Sequence, residues 1–290
     1  MSTNKYFLFL IIIYSSCNSV HDPIVTYGLS NKSIFHDGVD REYILYIPES
    51  YEDKTEVPVM LNFHGFGGSA FRHLNNADMR DLSERENFIL VYPEGTLLDG
   101  FQHWNPGINS SWNKSSADDY GFIDKLIKSL GETYNIDLDR VYACGYSNGG
   151  FFSYGLACNF SDKIAAVGSV AGTMLTGTYN SCQASFPKAT INIHGTSDYV
   201  VPYNGAYGYT PIEDVMRFWA DLNNCNNVEI NYESNVENHV YFDDNEYSYV
   251  NHYKIIGGLH VWDDDLNFNG KNTSELIWEF VSKYDINGLR

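Results

Sequence analysis

The stretch Arg140-Val141-Tyr142-Ala143-Cys144-Gly145-Tyr146-Ser147-Asn148-Gly149-Gly150-Phe151 decides how the rest of the chain is read. Arg140 to Cys144 has the apolar character of a strand, and Phe151 to Cys158 reads as a helix. Between them, Gly145 to Gly149 fits the pattern G-x-S-x-G. Glycines here let the backbone turn sharply from strand to helix and hold a strained serine with its hydroxyl at the helix N-terminus. There the positive end of the helix dipole favours a developing oxyanion. Five such residues alone would be an ordinary Gly-rich turn. The strand before, the helix after and Gly150 favour a nucleophile at Ser147.

A serine hydroxyl is a weak nucleophile and needs a histidine oriented by a carboxylate. In the α/β-hydrolase arrangement these follow in the order serine, acid, histidine. The apolar strand ending at Ile193 is followed by His194-Gly195-Thr196-Ser197-Asp198, which sets Asp198 just past a strand end as the acid. The strand ending at Ile256 is followed by Gly257-Gly258-Leu259-His260, which sets His260 in the equivalent position as the base. The oxyanion needs two backbone N–H donors. One comes from Asn148, after the nucleophile. The other is assigned to Phe66, with Gly65 as the alternative, in the turn His64-Gly65-Phe66-Gly67-Gly68 after an early strand. The His64 side chain reads as structural.

Working outward, strand-like runs fall at Glu42 to Ile47, Val57 to Phe63, Ile89 to Tyr92, Ala165 to Val170, Thr190 to Ile193 and Tyr249 to Ile255. Helical patterns fall between most of them. Asp119 to Tyr134 puts Phe122, Ile123, Leu126, Ile127 and Leu130 on one face, and Pro211 to Leu222 and Ser274 to Tyr284 read similarly. Asn272 and Glu275 form a capping-box pattern before the last helix. This alternation predicts one mostly parallel sheet covered on both faces, an α/β fold that binds ligands at the carboxyl ends of its strands. No repeat, linker or low-complexity tract marks an appended module.

Lys plus Arg number 18 against 37 Asp plus Glu, a net charge of −19 that repels nucleic acid and anionic membranes. Met1 to Ser16 carries Lys5, an apolar run from Tyr6 to Tyr14 and the small pair Ser15-Ser16, the layout of a signal peptide and too short for a comfortable bilayer span. The small residues leading into Cys17 resemble a lipoprotein box, with Tyr14 departing from the usual Leu, so Cys17 is the expected lipidation site and mature N-terminus. Residues 17–40 read as tether and edge hairpin, and 41–290 as the catalytic domain. Cys144, Cys158, Cys182 and Cys225 are even in number for an exported chain and allow one or two disulfides, in three connectivities if both form. Cys144 reads equally well as an inert buried thiol. No metal site is expected. Asp263 to Gly270 suggests calcium, but counting from Asp265 puts Glu275 at the eleventh position, where an EF-hand needs its bidentate ligand at the twelfth.

With these residues placed, the chain resembles the esterase family that includes polyhydroxybutyrate depolymerases and the feruloyl and acetylxylan esterases of carbohydrate esterase family one. The resemblance runs from about Arg41 onward. It is carried by Asp118-Asp119-Tyr120-Gly121-Phe122, Asp139-Arg140-Val141-Tyr142, the Ser147 motif, His194 to Asp198 with Val201-Pro202-Tyr203, Trp219, Cys225 and Ile277-Trp278. It implies the same roles for Ser147, Asp198 and His260, needs no cofactor, and suggests Trp104 as a wall of the substrate pocket. The base segment departs from the family's Gly-His-Thr-Trp-Pro, reading Leu259-His260-Val261-Trp262-Asp263. The expected function is a secreted or surface-anchored serine esterase acting on feruloyl or acetyl groups of polysaccharides, with the membrane met only through the lipid. A polyhydroxyalkanoate depolymerase, a serine peptidase and a non-catalytic carbohydrate-binding lipoprotein are the alternatives.

Overall fold

The computed structural model describes residues 25–107, 113, 115–185 and 187–290. The signal peptide expected over residues 1–16, the expected lipid site at Cys17 and residues 18–24 of the tether lie outside these residues.

The chain opens with β1 (Gly28–His36), β2 (Val39–Ile47) and β3 (Val57–Phe63). Helices α1 (Ala70–Asn76) and α2 (Arg80–Glu86) precede β4 (Ile89–Pro93) and a small hairpin of β5 (Thr96–Leu98) and β6 (Phe101–His103). There follow α3 (Asp119–Thr133), β7 (Ile136–Tyr146), α4 (Asn148–Asn159), β8 (Ala166–Val170), α5 (Thr176–Ser181) and β9 (Ala189–Gly195). Helix α6 (Ile212–Leu222) leads into β10 (Asn227–Glu233), β11 (Val236–Phe242) and β12 (Ser248–Ile255). Helix α7 (Thr273–Val281) is followed by the short pair β13 (Tyr284–Asp285) and β14 (Gly288–Leu289).

Among the described residues ten strands form one sheet in the order β1-β2-β4-β3-β7-β8-β9-β12-β11-β10. The six in the middle, β4 to β12, run parallel, and antiparallel strands extend both edges. This is an α/β-hydrolase-type fold. β3, β4, β8 and β9 are buried at every residue because helices cover both faces of the parallel part. Helix α3 buries the expected face of Phe122, Ile123, Leu126, Ile127 and Leu130. Asn272 caps α7 and forms the capping box with Glu275. Helix α4 is buried from Gly149 to Cys158, the pattern of a helix running through the core. The first hairpin turns at Asp37-Gly38, both with positive φ, and is hydrogen-bonded into the same sheet.

Sequence left the cysteine pairing open. The structure joins Cys158, at the end of α4, to Cys182, just past α5, with Cα atoms 5.0 Å apart, while Cys144 and Cys225 are free and buried. Closing a loop of this length stabilises the fold by about 3 kcal/mol. Among the described residues no helix is long and apolar enough to cross a membrane.

Three buried histidines are held neutral. Burial pushes His64 down to about 4 and His73 down to about 3, and lowers His252 well below its usual range. Each ring is hydrogen-bonded: His73 Nε2 with Asn62 Oδ1 at 2.8 Å, His252 Nε2 with the Tyr203 hydroxyl at 2.8 Å, and His64 Nε2 accepting from the Gly95 N–H at 2.9 Å. Below about pH 6.5 the unfolded chain takes up protons that these folded rings refuse, so stability falls as pH falls. The expected loss is about 2 kcal/mol for each of His64 and His73 between neutral pH and about pH 5. Urea titrations at the two pH values measure it. His73→Gln should flatten the slope, and an unchanged midpoint in the parent would refute it.

Candidate active site

The G-x-S-x-G turn is built as its glycines require. β7 ends at Tyr146, α4 begins at Asn148, and Ser147 between them sits at φ 52°, ψ −117°, a region non-glycine residues rarely occupy. The turn is held from three sides. The Ser147 N–H donates to Val170 O at 2.8 Å, tying it to the end of β8. A Cβ on Gly145 would lie 2.5 Å from Gly149 C, and one on Gly149 would lie 2.2 Å from Phe63 O at the end of β3. Only bare glycines allow these backbone approaches.

The Asn148 side chain adds a contact that sequence reading missed. Its Oδ1 accepts the Trp104 N–H at 2.6 Å and its Nδ2 donates to Trp104 O at 3.0 Å, so the amide pairs with the backbone like a neighbouring strand. The next residue, Asn105, donates its N–H to Asp119 Oδ2 at 2.7 Å, and the buried Arg41 holds Asp119 Oδ1 at 2.7 Å. A relay from Arg41 through Asp119 and Trp104 therefore braces the residue that follows the serine.

Asp198 and His260 come from the loops after β9 and β12, parallel neighbours in the sheet. The loops are locked together. Ser197 N–H donates to Gly258 O at 2.9 Å, Gly257 N–H donates to Thr196 Oγ1 at 2.8 Å, and a Cβ on Gly195 would lie 2.2 Å from Gly258 O. His260 Nδ1 lies 2.7 Å from Asp198 Oδ2 and its Nε2 lies 3.0 Å from Ser147 Oγ. An ionised carboxylate only accepts, so Nδ1 carries the proton and Nε2 is free to accept from the serine hydroxyl. The three residues singled out in the sequence thus lie in one hydrogen-bonded line.

Burial alone would raise the Asp198 carboxyl. Side-chain hydrogen bonds from His194 and His260 and the Val201 N–H outweigh it and hold the group well below the usual carboxylate range. Its Oδ1 accepts from Val200 and Val201 N–H at 2.9 and 2.8 Å, and Oδ2 lies 3.3 Å from His194 Nε2. The Tyr146 hydroxyl donates to His260 O at 2.8 Å, with its ring 5.0 Å from the imidazole. Neither His194 nor Tyr146 was picked out as a site residue. The signal was their place in the motifs that carry the resemblance, Tyr146 beside the serine and His194 at the start of the stretch that ends at Asp198.

Phe66 and Asn148, the expected oxyanion donors, both border the cavity that Ser147 faces. Neither backbone N–H has a backbone partner among the described residues. The alternative, Gly65, is buried and does not border the cavity; its O accepts from the Gly68 N–H, and a Cβ added to it would lie 2.9 Å from the Tyr146 ring. The cavity holds about 340 Å³ and is walled by Phe66, Leu98, Phe151, Leu175, Val200 and Tyr209. Trp104 borders it too, but its indole is fully buried, stacked on Phe152 at 5.2 Å and donating to His64 O at 3.1 Å. It therefore shapes the wall from behind. Trp262, two residues past His260, likewise points inward, edge-on to His73 at 5.4 Å.

In the acidic loop, Asp263 and Asn267 accept from the N–H groups of Asp265 and Gly270 at 3.0 and 2.9 Å. Among the described residues no three His, Cys, Asp or Glu side chains converge as a metal would need.

No protein-family profile matches the chain. The sequence is 25% identical over 260 residues to a bifunctional acetylxylan esterase/xylanase of Neocallimastix patriciarum, covering 87% of this chain and 34% of that protein. It is 29% identical over 205 residues to a probable feruloyl esterase C of Aspergillus flavus, covering 67% of this chain and 70% of that one. The chain is a relative of the feruloyl and acetylxylan esterases. Those relatives are, by name, carboxylic ester hydrolases. In three dimensions it is similar to an acetyl xylan esterase from Aspergillus awamori, with a TM-score of 0.65 at 14% identity over 87% of this chain and 99% of that one. At that identity the likeness speaks to the fold. The chain spans about a third of the bifunctional relative's length.

Proposed function

We propose that this chain is a serine esterase that cleaves acyl groups from polysaccharide, with feruloyl favoured over acetyl. The observation that carries the chemistry is the line from Asp198 through His260 to Ser147, at 2.7 and 3.0 Å. His260 takes the Ser147 proton as Oγ attacks the ester carbonyl, and the oxyanion rests on the Asn148 and Phe66 N–H groups. His260 then protonates the leaving sugar oxygen. Water repeats the sequence on the acyl-enzyme and frees the acid.

The preference for feruloyl rests on the cavity. About 340 Å³, walled mainly by aromatic and aliphatic side chains with a few polar groups among them, falls within the roughly 300–1,000 Å³ of small-molecule sites and leaves room for an aromatic acyl group. A two-carbon acetyl group would leave most of it unfilled. The relatives named for feruloyl and acetylxylan esters support the class of substrate. Residues 41–290 are taken as the catalytic unit. Lys5, the apolar run and Ser15-Ser16-Cys17 support export with a lipid on Cys17.

Methyl ferulate, acetylated xylan and a polyhydroxybutyrate film presented to the same preparation test this reading. The expected kcat/KM for methyl ferulate exceeds that for acetyl release by about tenfold or more, the worth of filling an apolar pocket. Equal rates on acetyl and feruloyl esters would remove the preference, and turnover of the film alone would replace the substrate class.

A further inference from the structure

The sheet runs on beyond the helix that covers it. Helix α7 packs on β8 and β9, whereas the strand order continues through β12, β11 and β10. Beside α7 the face of β11 and β12 floors a cleft of about 360 Å³. The antiparallel register sets Asn238 opposite Tyr253 and Val240 opposite Asn251, so these side chains share one face. Phe268 closes one side, edge-on to Tyr253 at 5.3 Å, and an ion pair of Lys271 with Glu279 stands at the rim. None of these residues borders the Ser147 cavity.

Asn238 is the telling member. Its side chain is 94% buried, being 6% exposed, yet its Oδ1 has no hydrogen-bond partner among the described residues while it lines the cleft. Packing alone would favour an apolar residue here, because a buried acceptor without a donor is destabilising. A ligand suited to the cleft must donate an O–H or N–H to Asn238. It must also lie against the Tyr253 and Phe268 rings, and exchange hydrogen bonds with both a cation and an anion at the rim.

We propose that this cleft is a second carbohydrate subsite, taking one sugar ring of an oligosaccharide with a ring hydroxyl donating to Asn238 Oδ1. A sugar supplies donors and acceptors around its edge and C–H groups on its faces, which matches amides, aromatic rings and paired charges together. An alkyl chain would leave Asn238 unsatisfied. A subsite apart from Ser147 keeps a polymer tethered while different acyl groups reach the serine, raising their effective concentration. The ester chemistry of Ser147 plays no part in this binding.

The test titrates the whole protein with xylotetraose and with cellotetraose, both free of esters, by calorimetry, with amide hydrogen exchange to locate the contact. At least one sugar should bind, protecting β11, β12 and residues 268–279. Asn238→Leu should weaken it by about tenfold, the worth of one buried hydrogen bond. Lys271→Ala, at the half-buried rim, should weaken it by about threefold, with circular dichroism as its folding control. Methyl ferulate turnover should stay within about twofold in both variants, if the esterase reading holds. No binding by either sugar, protection around the Ser147 cavity instead, or affinity unchanged in both variants would overturn the subsite. Sugar binding at the cleft by a protein that cleaves no ester would keep the subsite and sink the esterase reading.

Discussion

Ser147→Ala should lower kcat for ester hydrolysis by about 10⁵- to 10⁶-fold while the protein still folds. The expectation rests on Oγ as the attacking atom, 3.0 Å from the His260 nitrogen that would take its proton. Alanine keeps the Cβ and meets the same unusual φ of 52°, so the backbone strain is common to both proteins and the loss reports chemistry. His260→Ala should cost nearly as much, and the double variant little more, because the two act as one unit. Asp198→Ala should cost less, since the carboxylate orients the imidazole without exchanging covalent bonds with substrate. Initial rates on methyl ferulate, with circular dichroism as the folding control, compare the four variants with the parent. Turnover by Ser147→Ala within about tenfold of the parent would mean another nucleophile and end the assignment.

Gly149→Ala should be damaging without touching a reacting atom. The added Cβ would lie 2.2 Å from Phe63 O and 2.8 Å from His64 O, both backbone atoms at the end of a fully buried strand. Relief requires α4 to lift from β3 and carries the Asn148 N–H with it. A loss of about 3 kcal/mol or more in unfolding free energy is expected. The rate should fall on the order of 10²-fold from misplacing an oxyanion donor in protein that remains folded. Gly177→Ala is the control, because a Cβ there meets nothing within 4 Å. That variant should hold or slightly gain stability through its better helix propensity. Equal urea midpoints for the two variants would show that the close approach does not constrain the turn.

Much of the fold was legible because its signals are local. The apolar runs at Val57 to Phe63 and Ile89 to Tyr92 became β3 and β4, and the one-sided pattern from Phe122 to Leu130 became the buried face of α3. The hairpin β10–β11 was not read. Val228, Ile230 and Tyr232 alternate as a strand should, but Glu and Asn lie between them and all three stay exposed on an edge, so hydrophobic burial left little imprint. The short helices α1, α2 and α5 escaped for a related reason, being too brief to show a period.

For the site, sequence determined which residues stand at the carboxyl ends of strands, and so named Ser147, Asp198, His260 and the turn at Phe66. Glycine spacing, strand ends and helix starts are written in neighbouring residues, and each can be read without knowing the rest of the chain. Only the tertiary structure decided what meets across long separations. His260 reaches Ser147 over 113 residues and Asp198 over 62, Asn148 clasps Trp104 over 44, and Cys158 pairs with Cys182. These contacts depend on the order in which strands enter the sheet. That order is chosen by the burial of the whole core, and no local pattern records it.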